Sequence, residues 1–418
     1  MGCKANWSDS EAIGQSLARE GLCIVDFEEA ADVYVVNTCT VTALASAQSR
    51  QMLRRALTRS PNAAVIATGC CGEVAPADLK AIPGLAAVFG TKDRKEMIGF
   101  ILGLADLPSD VIPDAADFGL IADMPQSRAR AFLKIQDGCQ KSCAYCIIAR
   151  ARGGSRSLPQ IKVQDAARVL GRRHREIILA GIDIGQYGLD LSPRTNLLNL
   201  VRLLASDPEV PRLRLSSLSP CHAGEALAET IAGGGVCRHV HLSIQSGSDE
   251  VLVRMRRGYR ARDAAEAAER LWSSVPGIAI TGDVIAGLPG ETEIDHRATL
   301  QLLESMPLAS LHVFPYSPRE GTDAASMQGQ VPHSTRTDRA AELRSLAERK
   351  REDFLKGLIG KELDVIVTSR EPDGRGMVEG FSDNAISIAL PGGCVEYGLM
   401  GQAAITRVEG TEATGEWR

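Results

Sequence analysis

Phenylalanine, tyrosine and tryptophan make up only 4% of this 418-residue chain, too few for an extended base-stacking surface. No stretch approaches the roughly 18 uninterrupted apolar residues of a membrane-spanning helix. The first residues, Met1-Gly2-Cys3-Lys4-Ala5-Asn6-Trp7, run into Ser8-Asp9-Ser10-Glu11 without the apolar core of a secretory signal. Asn6 stands where a myristoylation signal needs Ser or Thr. An excess of positive charge is missing too: 47 Lys and Arg face 52 Asp and Glu, a net charge of −5. That excludes a polycation held on nucleic acid by bulk charge while leaving room for a local basic cleft. The expectation is a cytoplasmic protein with no membrane partner. What is present is an ordinary globular composition, 44% apolar and 24% charged, over a length that suggests two or three domains.

The first hundred residues alternate short apolar runs with helical patterns. Ser8-Asp9-Ser10-Glu11 has capping-box spacing, and the helix it opens stops near Gly21. Strands are expected at 22–25, 33–36, 63–68 and 86–89, and helices at 42–59 and 92–104. Continuous apolar strands alternating with helices imply a doubly wound parallel sheet, assigned to residues 1–105. Residues 106–127, with three prolines and many Asp and Ala, read as a linker. From 128 to 357, strands at 132–135, 176–180, 212–216, 239–243, 278–285 and 309–314 alternate with helices, the last at 333–357. Six βα units make a partial parallel (β/α)6 barrel, whose chemistry belongs at the C-terminal ends of its strands. Across 358–418 the pattern changes to short strands at 363–368, 377–380, 385–389 and 403–408, which fit a small β-barrel.

Cysteine is the informative residue. There are eleven, and an odd count without secretory features argues for metal binding or catalysis rather than a disulfide framework. The densest group is Asp137-Gly138-Cys139-Gln140-Lys141-Ser142-Cys143-Ala144-Tyr145-Cys146, a C-x3-C-x2-C directly after an expected strand. Three thiolates on a short loop hold three irons of a four-iron cluster and leave the fourth open to an exogenous ligand. A structural zinc site wants a closed set of four ligands, and ferredoxin spacing brings a fourth cysteine. Neither is met nearby.

A C-x3-C-x2-C with Tyr145 before its last cysteine, on the first loop of a βα barrel, resembles the radical S-adenosylmethionine (SAM) superfamily. The phrases Gly2-Cys3-Lys4-Ala5-Asn6, Val36-Asn37-Thr38-Cys39-Thr40-Val41-Thr42, Thr68-Gly69-Cys70, Gln245-Ser246-Gly247-Ser248 and Gly287-Leu288-Pro289-Gly290-Glu291 are similar to its methylthiotransferase family, over nearly the whole chain. Arg214-Leu215-Ser216-Ser217 and Leu311-His312-Val313-Phe314-Pro315-Tyr316-Ser317-Pro318 resemble the branch acting on N6-threonylcarbamoyladenosine at position 37 of tRNA.

The resemblance implies a [4Fe-4S] cluster on Cys139, Cys143 and Cys146 whose open iron chelates SAM. Cleavage there gives a 5′-deoxyadenosyl radical that removes hydrogen from an aromatic C–H. It also implies a second [4Fe-4S] cluster on Cys3, Cys39 and Cys70, which presents the sulfur, while a second SAM donates the methyl group. Read alone, these three cysteines are buried small hydrophobes. However, Cys39 and Cys70 both follow expected strands on one edge of a parallel sheet, and Cys3 precedes a helix. Cys71 is the competitor of Cys70. The implied partners are tRNA, an electron donor and a sulfur source. SAM contacts are expected at strand ends: Tyr145 beside the adenine, Gly181 and Asp183 after the second strand, Ser217 after the third and Gln245 after the fourth. Residues 287–291 read either as a further contact or as a plain turn opening a capped helix. Cys23, Cys221, Cys237 and Cys394 read as packing residues.

Three features depart from the family's pattern. Ile147-Ile148-Ala149-Arg150-Ala151-Arg152-Gly153 replaces the usual Pro and Tyr after the last cluster cysteine and adds the cation Arg150. The β-strand that normally precedes Gly-Cys has no counterpart before Gly2, so a start upstream of Met1 is expected. The C-terminal barrel resembles the family's small RNA-binding TRAM module, yet residues 361–418 hold five Lys and Arg against ten Asp and Glu. Phosphate contacts want cations, which turns attention to Arg150, Arg152 and Arg156, to Arg254, Arg256, Arg257, Arg260 and Arg262, and to Arg172, Arg173 and Arg175. An acidic module also suits a basic protein substrate, so the alternative is the branch that methylthiolates an aspartate of a ribosomal protein. A non-catalytic iron–sulfur RNA-binding or sensor protein is the alternative of another class.

Overall fold

The computed structural model describes residues 2–107, 129–393 and 395–418. Cys394 and most of the expected linker lie outside them. In the N-terminal part, β1 (Val33–Thr38), β2 (Ala64–Gly69) and β3 (Leu85–Val88) form a parallel sheet in that order. Helices Lys4–Arg19 and Arg94–Leu104 cover one face, burying Ile13, Leu17, Met97, Ile98 and Ile101 against Ile66. Leu53 and Ala56 of helix Ala43–Arg59 and Leu79 and Ile82 close the other face over Tyr34, Val36, Val65 and Ala67. The sheet is doubly wound, as the alternating pattern requires.

Two local expectations fail in this part. Residues 22–25 are not a strand. Their apolarity has another use, since Leu22 packs against the Ile13–Met97 cluster, while Ile24 and Val25 stay exposed. The first helix also begins earlier than its capping-box pattern suggested, with Cys3 at the N-cap and Ser8 and Asp9 inside it. Asp9 is buried in ion pairs, so its carboxylate serves tertiary structure rather than a helix end.

The central part carries β4 (Ala131–Lys134), β5 (Gln136–Asp137), β6 (Arg156–Ser157), β7 (Glu176–Ala180), β8 (Arg212–Leu215), β9 (His239–Gln245), β10 (Ala279–Ala286) and β11 (Ser310–Pro315). Two parallel ladders, β4-β7-β8 and β11-β10-β9, join through bridges at Leu213–Val236 and Leu218–Leu242. These six strands form the expected partial barrel around one continuous apolar core. The short antiparallel pair β5–β6 brackets the cysteine loop.

In the C-terminal part β12 (Glu362–Val367), β13 (Met377–Ser382), β14 (Ser387–Pro391), β15 (Met400–Glu409) and β16 (Glu412–Trp417) close into a barrel. Strand β16 went unread in the sequence because Thr414-Gly415-Glu416 lacks an apolar run; it is held as the second arm of a hairpin with β15. The barrel docks at the N-terminal ends of the central strands. Arg214 donates to the carbonyls of Ser382 (2.8 Å) and Asp383 (3.1 Å) and Arg212 to that of Asp364 (3.0 Å). Arg238 grips the Asp383 carboxylate at 2.6 and 3.2 Å. No helix among the described residues is long and apolar enough to cross a membrane.

Candidate functional site

The C-x3-C-x2-C loop leaves β5 through Gly138, whose φ of 73° suits glycine. A side chain there would also meet the carbonyl oxygens of Gly153 and Gly154. Buried Gln136 organises the loop. Its Nε2 donates to the carbonyls of Asp137 (3.1 Å) and Gly138 (2.7 Å) and to Ser155 Oγ (2.9 Å). Its Oε1 accepts from the backbone N–H groups of Ile182 (3.0 Å) and Asp183 (2.9 Å). One side chain thus fixes the cysteine loop against the Gly181–Asp183 turn after β7. A second tie is the ion pair between Lys141, inside the cysteine loop, and Asp183 at 2.7 Å.

The thiols of Cys139, Cys143 and Cys146 converge on this loop. Lys141 N–H donates to Cys139 Sγ (3.4 Å), and Arg257 Nη1 lies 3.3 Å from Cys143 Sγ and 3.5 Å from the Tyr145 hydroxyl. Burial pushes the Cys146 thiol up to about 11 and raises Cys139 as well. In the bare protein such thiols keep their protons, whereas iron would draw out the thiolates. Three soft donors, flanked by N–H groups aimed at sulfur, suit an iron–sulfur cluster.

The second cysteine set gathers at the C-terminal edge of the N-terminal sheet. Cys39 follows β1, Cys70 follows β2 and Cys3 caps the first helix. Cys70 feels Cys3, Cys39 and Arg152, and its thiol is pushed up to about 12 by burial. Arg152 uses Nη1 on Asp9 (2.9 Å) and Asp137 (3.0 Å). Its buried Nε and Nη2 have no oxygen or nitrogen acceptor among the described residues and lie near Cys70, so a sulfur-rich anionic group beside Cys70 and Cys3 would satisfy them. Cys71 instead packs in the apolar layer with Leu53 and Val65, and its N–H donates to Thr38 Oγ1 (3.2 Å).

A cavity of about 210 Å³ is lined by Val41 and Thr42, just past Cys39, by Tyr145, beside Cys146, and by Gln245, Asp283 and Phe314, among others. Gln245 ends β9 with φ of 67°, a left-handed conformation that costs a non-glycine residue of order 1 kcal/mol or more and concentrates at functional sites. The Tyr259 hydroxyl, which donates to the Ile244 carbonyl at 3.0 Å, and the burial of Gln245 hold it there. Lys4, in the first turn of the first helix, feels the charges of the barrel residues Arg214, Arg130, Asp283 and Glu176. It is surrounded by protein yet reached by solvent, as in an open cavity. Burial, with Arg214 and Arg130, brings its ammonium down to about 8.

Of the residues singled out from the sequence, Tyr145 and Gln245 line this cavity, and Gly181 and Asp183 adjoin the cysteine loop through Gln136 and Lys141. Ser217 is half-buried after β8; the hydroxyl that reaches the loop is that of Ser219, 3.3 Å from Arg257 Nη2 and 3.5 Å from Lys141 Nζ. The 287–291 segment is a turn. Glu291 Oε1 accepts from Gly287 N–H (2.9 Å) and from Arg339 (2.9 Å), and Thr292 opens the next helix with a capping box. Cys237 packs as expected, but Cys23 and Cys221 are exposed.

The basic residues divide. Arg152 is buried between carboxylates and Arg257 turns to the cysteine loop, so neither is an RNA-facing cation. Arg254 donates to the Gly290 carbonyl (2.7 Å), while Arg256 and Arg260 pair with Asp323 and Asp249. Arg150, Arg156, Arg172, Arg173 and Arg175 are exposed. Gln136 was missed because a lone glutamine has no motif; its place just before the cysteine loop was the one available signal.

Residues 1–90 match a family described as "Uncharacterized protein family UPF0004", and residues 133–303 match the Radical SAM superfamily. The threonylcarbamoyladenosine tRNA methylthiotransferase MtaB of Bacillus subtilis (strain 168) is 36% identical over 407 residues, covering 94% of this chain and 89% of that protein. Its namesake from Thermotoga maritima is 33% identical, covering 88% and 85%. A tRNA-2-methylthio-N(6)-dimethylallyladenosine synthase from Syntrophus aciditrophicus is 30% identical, covering 92% and 83%. Among solved structures, the radical S-adenosylmethionine methyltransferase TsrM from Kitasatospora setae, with cobalamin and a [4Fe-4S] cluster bound, aligns with a TM-score of 0.57 at 16% identity over 76% of this chain and 73% of that one. That likeness is one of fold.

Proposed function

Because the chain belongs to the radical SAM tRNA methylthiotransferases, enzymes that use SAM and a [4Fe-4S] cluster, we propose that its substrate is N6-threonylcarbamoyladenosine at tRNA position 37. The product carries a methylthio group at C2 of that base. The observation that carries the reading is one cavity lined both by Val41 and Thr42, just past Cys39, and by Tyr145, beside Cys146, so that residues next to each cysteine set reach it. Each set holds one [4Fe-4S] cluster in this proposal. When bound, the clusters and SAM supply the radical, sulfur and methyl chemistry; the protein supplies placement and exclusion of water.

The chain's own residues divide that work. Gln136 and the Lys141–Asp183 pair hold the cysteine loop to the Gly181–Asp183 turn. Arg257 places a cation beside Cys143, offsetting the negative charge of a thiolate-bound cluster. Tyr145, Gly181, Asp183, Ser217 and Gln245 are assigned to SAM from their positions at strand ends. Arg152 does for Cys70 and Cys3 what Arg257 does for Cys143.

The choice of substrate is supported by the 36% identity to an enzyme named for threonylcarbamoyladenosine against 30% to one named for dimethylallyladenosine. In the acidic C-terminal barrel, which had favoured a basic protein substrate, Asp383 is turned to Arg238 while the other nine acids are exposed. The test is nucleoside mass spectrometry of tRNA from a host lacking the activity, with and without this gene and with a Cys139→Ala control. A new methylthio form of threonylcarbamoyladenosine, absent in the control, is expected. Unchanged tRNA from cells in which both clusters are loaded would reject the reading.

A further inference from the structure

Three polar side chains converge inside the barrel below Tyr145 and Gln245, and no step described so far uses them. His241 Nε2 lies 3.0 Å from Asp283 Oδ1, and His312 Nδ1 lies 3.3 Å from the same oxygen. The two rings stand 5.1 Å apart. His241 is fixed from behind, its Nδ1 2.7 Å from Thr281 Oγ1, which also meets His239 Nε2 at 3.0 Å. Adjacent strands β9, β10 and β11 thus each contribute one member.

The arrangement leaves unused capacity facing the cavity. Among the described residues, Asp283 spends one carboxylate oxygen on both imidazoles and has no ion pair at Oδ2, nor has His312 at Nε2. Asp283 lines the cavity with Tyr145 and Gln245, and the His312 side chain is 63% exposed. Lys4, on the first helix, feels the charge of Asp283 along with those of Arg214 and Arg130 and forms no ion pair among the described residues. An acceptor that lines the cavity and an imidazole nitrogen, a donor in the imidazolium form, therefore stand side by side, with the Lys4 ammonium in electrostatic reach of Asp283. Val41, Ile285, Phe314 and Pro315 give the cavity apolar wall, beside the polar Thr42, Gln245 and Ser317.

We infer that Asp283, His312 and Lys4 read the polar N6 substituent of the target adenosine and so determine substrate specificity, an inference that rests on the substrate reading above. A threonylcarbamoyl group offers urea N–H groups and a hydroxyl for Asp283 Oδ2, and a carboxylate for Lys4 and for His312 in its imidazolium form. A dimethylallyl group offers none of these. It would cover three polar groups and leave them without partners, and a site built around such groups rejects an analogue lacking them far more strongly than an apolar pocket rejects a misfit. His241 is a positioning residue: it orients Asp283 and is itself oriented by Thr281.

The test uses the cluster-loaded enzyme and two tRNAs, one carrying threonylcarbamoyladenosine and one dimethylallyladenosine at position 37, with methylthio product measured by mass spectrometry. The readout is the ratio of the two kcat/KM values on one preparation, since partial loss of clusters lowers both alike. The wild type is expected to prefer the threonylcarbamoyl substrate by roughly a hundredfold or more. Asp283→Asn, His312→Ala and Lys4→Met are each expected to shrink that ratio by roughly tenfold or more, His312→Gln by less because it keeps a donor. Ratios that stay at the wild-type value overturn the inference. One equivalent of a divalent metal other than iron, present in the wild type and lost in Asp283→Asn, also overturns it, because the three groups would then be ligands. A wild type that modifies only the dimethylallyl tRNA rejects the substrate reading itself. A selective wild type with insensitive variants rejects this inference alone.

Discussion

Arg152 Nη1 donates to Asp9 Oδ2 at 2.9 Å, joining the first helix to the barrel. The same nitrogen reaches Asp137 at 3.0 Å, and Asp9 also accepts from Arg94 (2.7 Å) and Lys134. Burial alone would push the Asp9 carboxyl up, but Lys134, Arg94 and Arg152 hold it well below the usual carboxylate range. The network thus links the cap of the helix that starts at Cys3 to the segment that launches Cys139.

Removing the Asp9 charge leaves Lys134 and Arg152 buried around the single carboxylate of Asp137 and takes the Asp9 partner from Arg94. Breaking a buried ion network by deleting one partner costs about 3–5 kcal/mol. Asp9→Ala is expected to destabilise the chain by that order in anaerobic denaturant titration, and a midpoint equal to wild type would refute the role assigned here.

Glu176 predicts a pH response at the opposite end of the barrel. Burial works to raise its carboxyl, but Arg214, Arg212 and Arg130 bring it down to about 2. Between the ordinary value of 4.5 and that lowered one, the unfolded chain binds the proton and the folded chain does not. The Glu176 contribution is therefore complete above pH 4.5 and is lost as pH falls toward 2, about 3 kcal/mol in all. Glu176→Gln should remove that slope. The comparison is the difference in unfolding free energy between the two proteins across this window, in which the acid lability of the clusters enters both. Parallel curves would contradict the prediction.

The six barrel strands were legible because each carries apolar residues between helical patterns, as a run in Ile177–Ala180 and in alternation in Arg212–Leu215 and His239–Ile244. The cysteine loop was legible from spacing. What escaped was everything set by a tertiary partner. Asp9 sits in a capping-box phrase but faces cations from three other elements. Arg152 and Arg257 look in sequence like Arg150 and Arg260; only the fold turns the first two inward. The acids of the C-terminal barrel counted as a negative surface, yet Asp383 is buried against Arg238. His241, Asp283 and His312 lie on three strands, and no local pattern couples them.

The two cysteine sets predict iron content. Cys3→Ala, Cys39→Ala or Cys70→Ala is expected to lower iron from about eight to about four per chain, measured on anaerobically purified protein. Cys71→Ala should keep about eight, since that side chain packs with Leu53 and Val65, though with some loss of stability from the cavity. Loss of half the iron in Cys71→Ala and not in Cys70→Ala would reverse the assignment.

Gln136 makes the most demanding prediction, because it touches no proposed ligand of iron and yet both of its ends hold the site. Gln136→Leu deletes five hydrogen bonds at once, three from Nε2 and two to Oε1. Leucine nearly conserves the volume, so the loss falls on the geometry between the cysteine loop and the Gly181–Asp183 turn rather than on packing. A displacement of even 1 Å between a cofactor and the groups that orient it can cost a factor of about a hundred in rate. The expected result is weaker SAM binding and slow formation of 5′-deoxyadenosine with iron near the wild-type level. Gln136→Glu, which keeps the acceptor for Ile182 and Asp183 but loses the donor side, should fall between. If Gln136→Leu lost iron and stability while the SAM kinetics of the remaining loaded enzyme matched wild type, Gln136 would be a support of the fold and not of SAM placement.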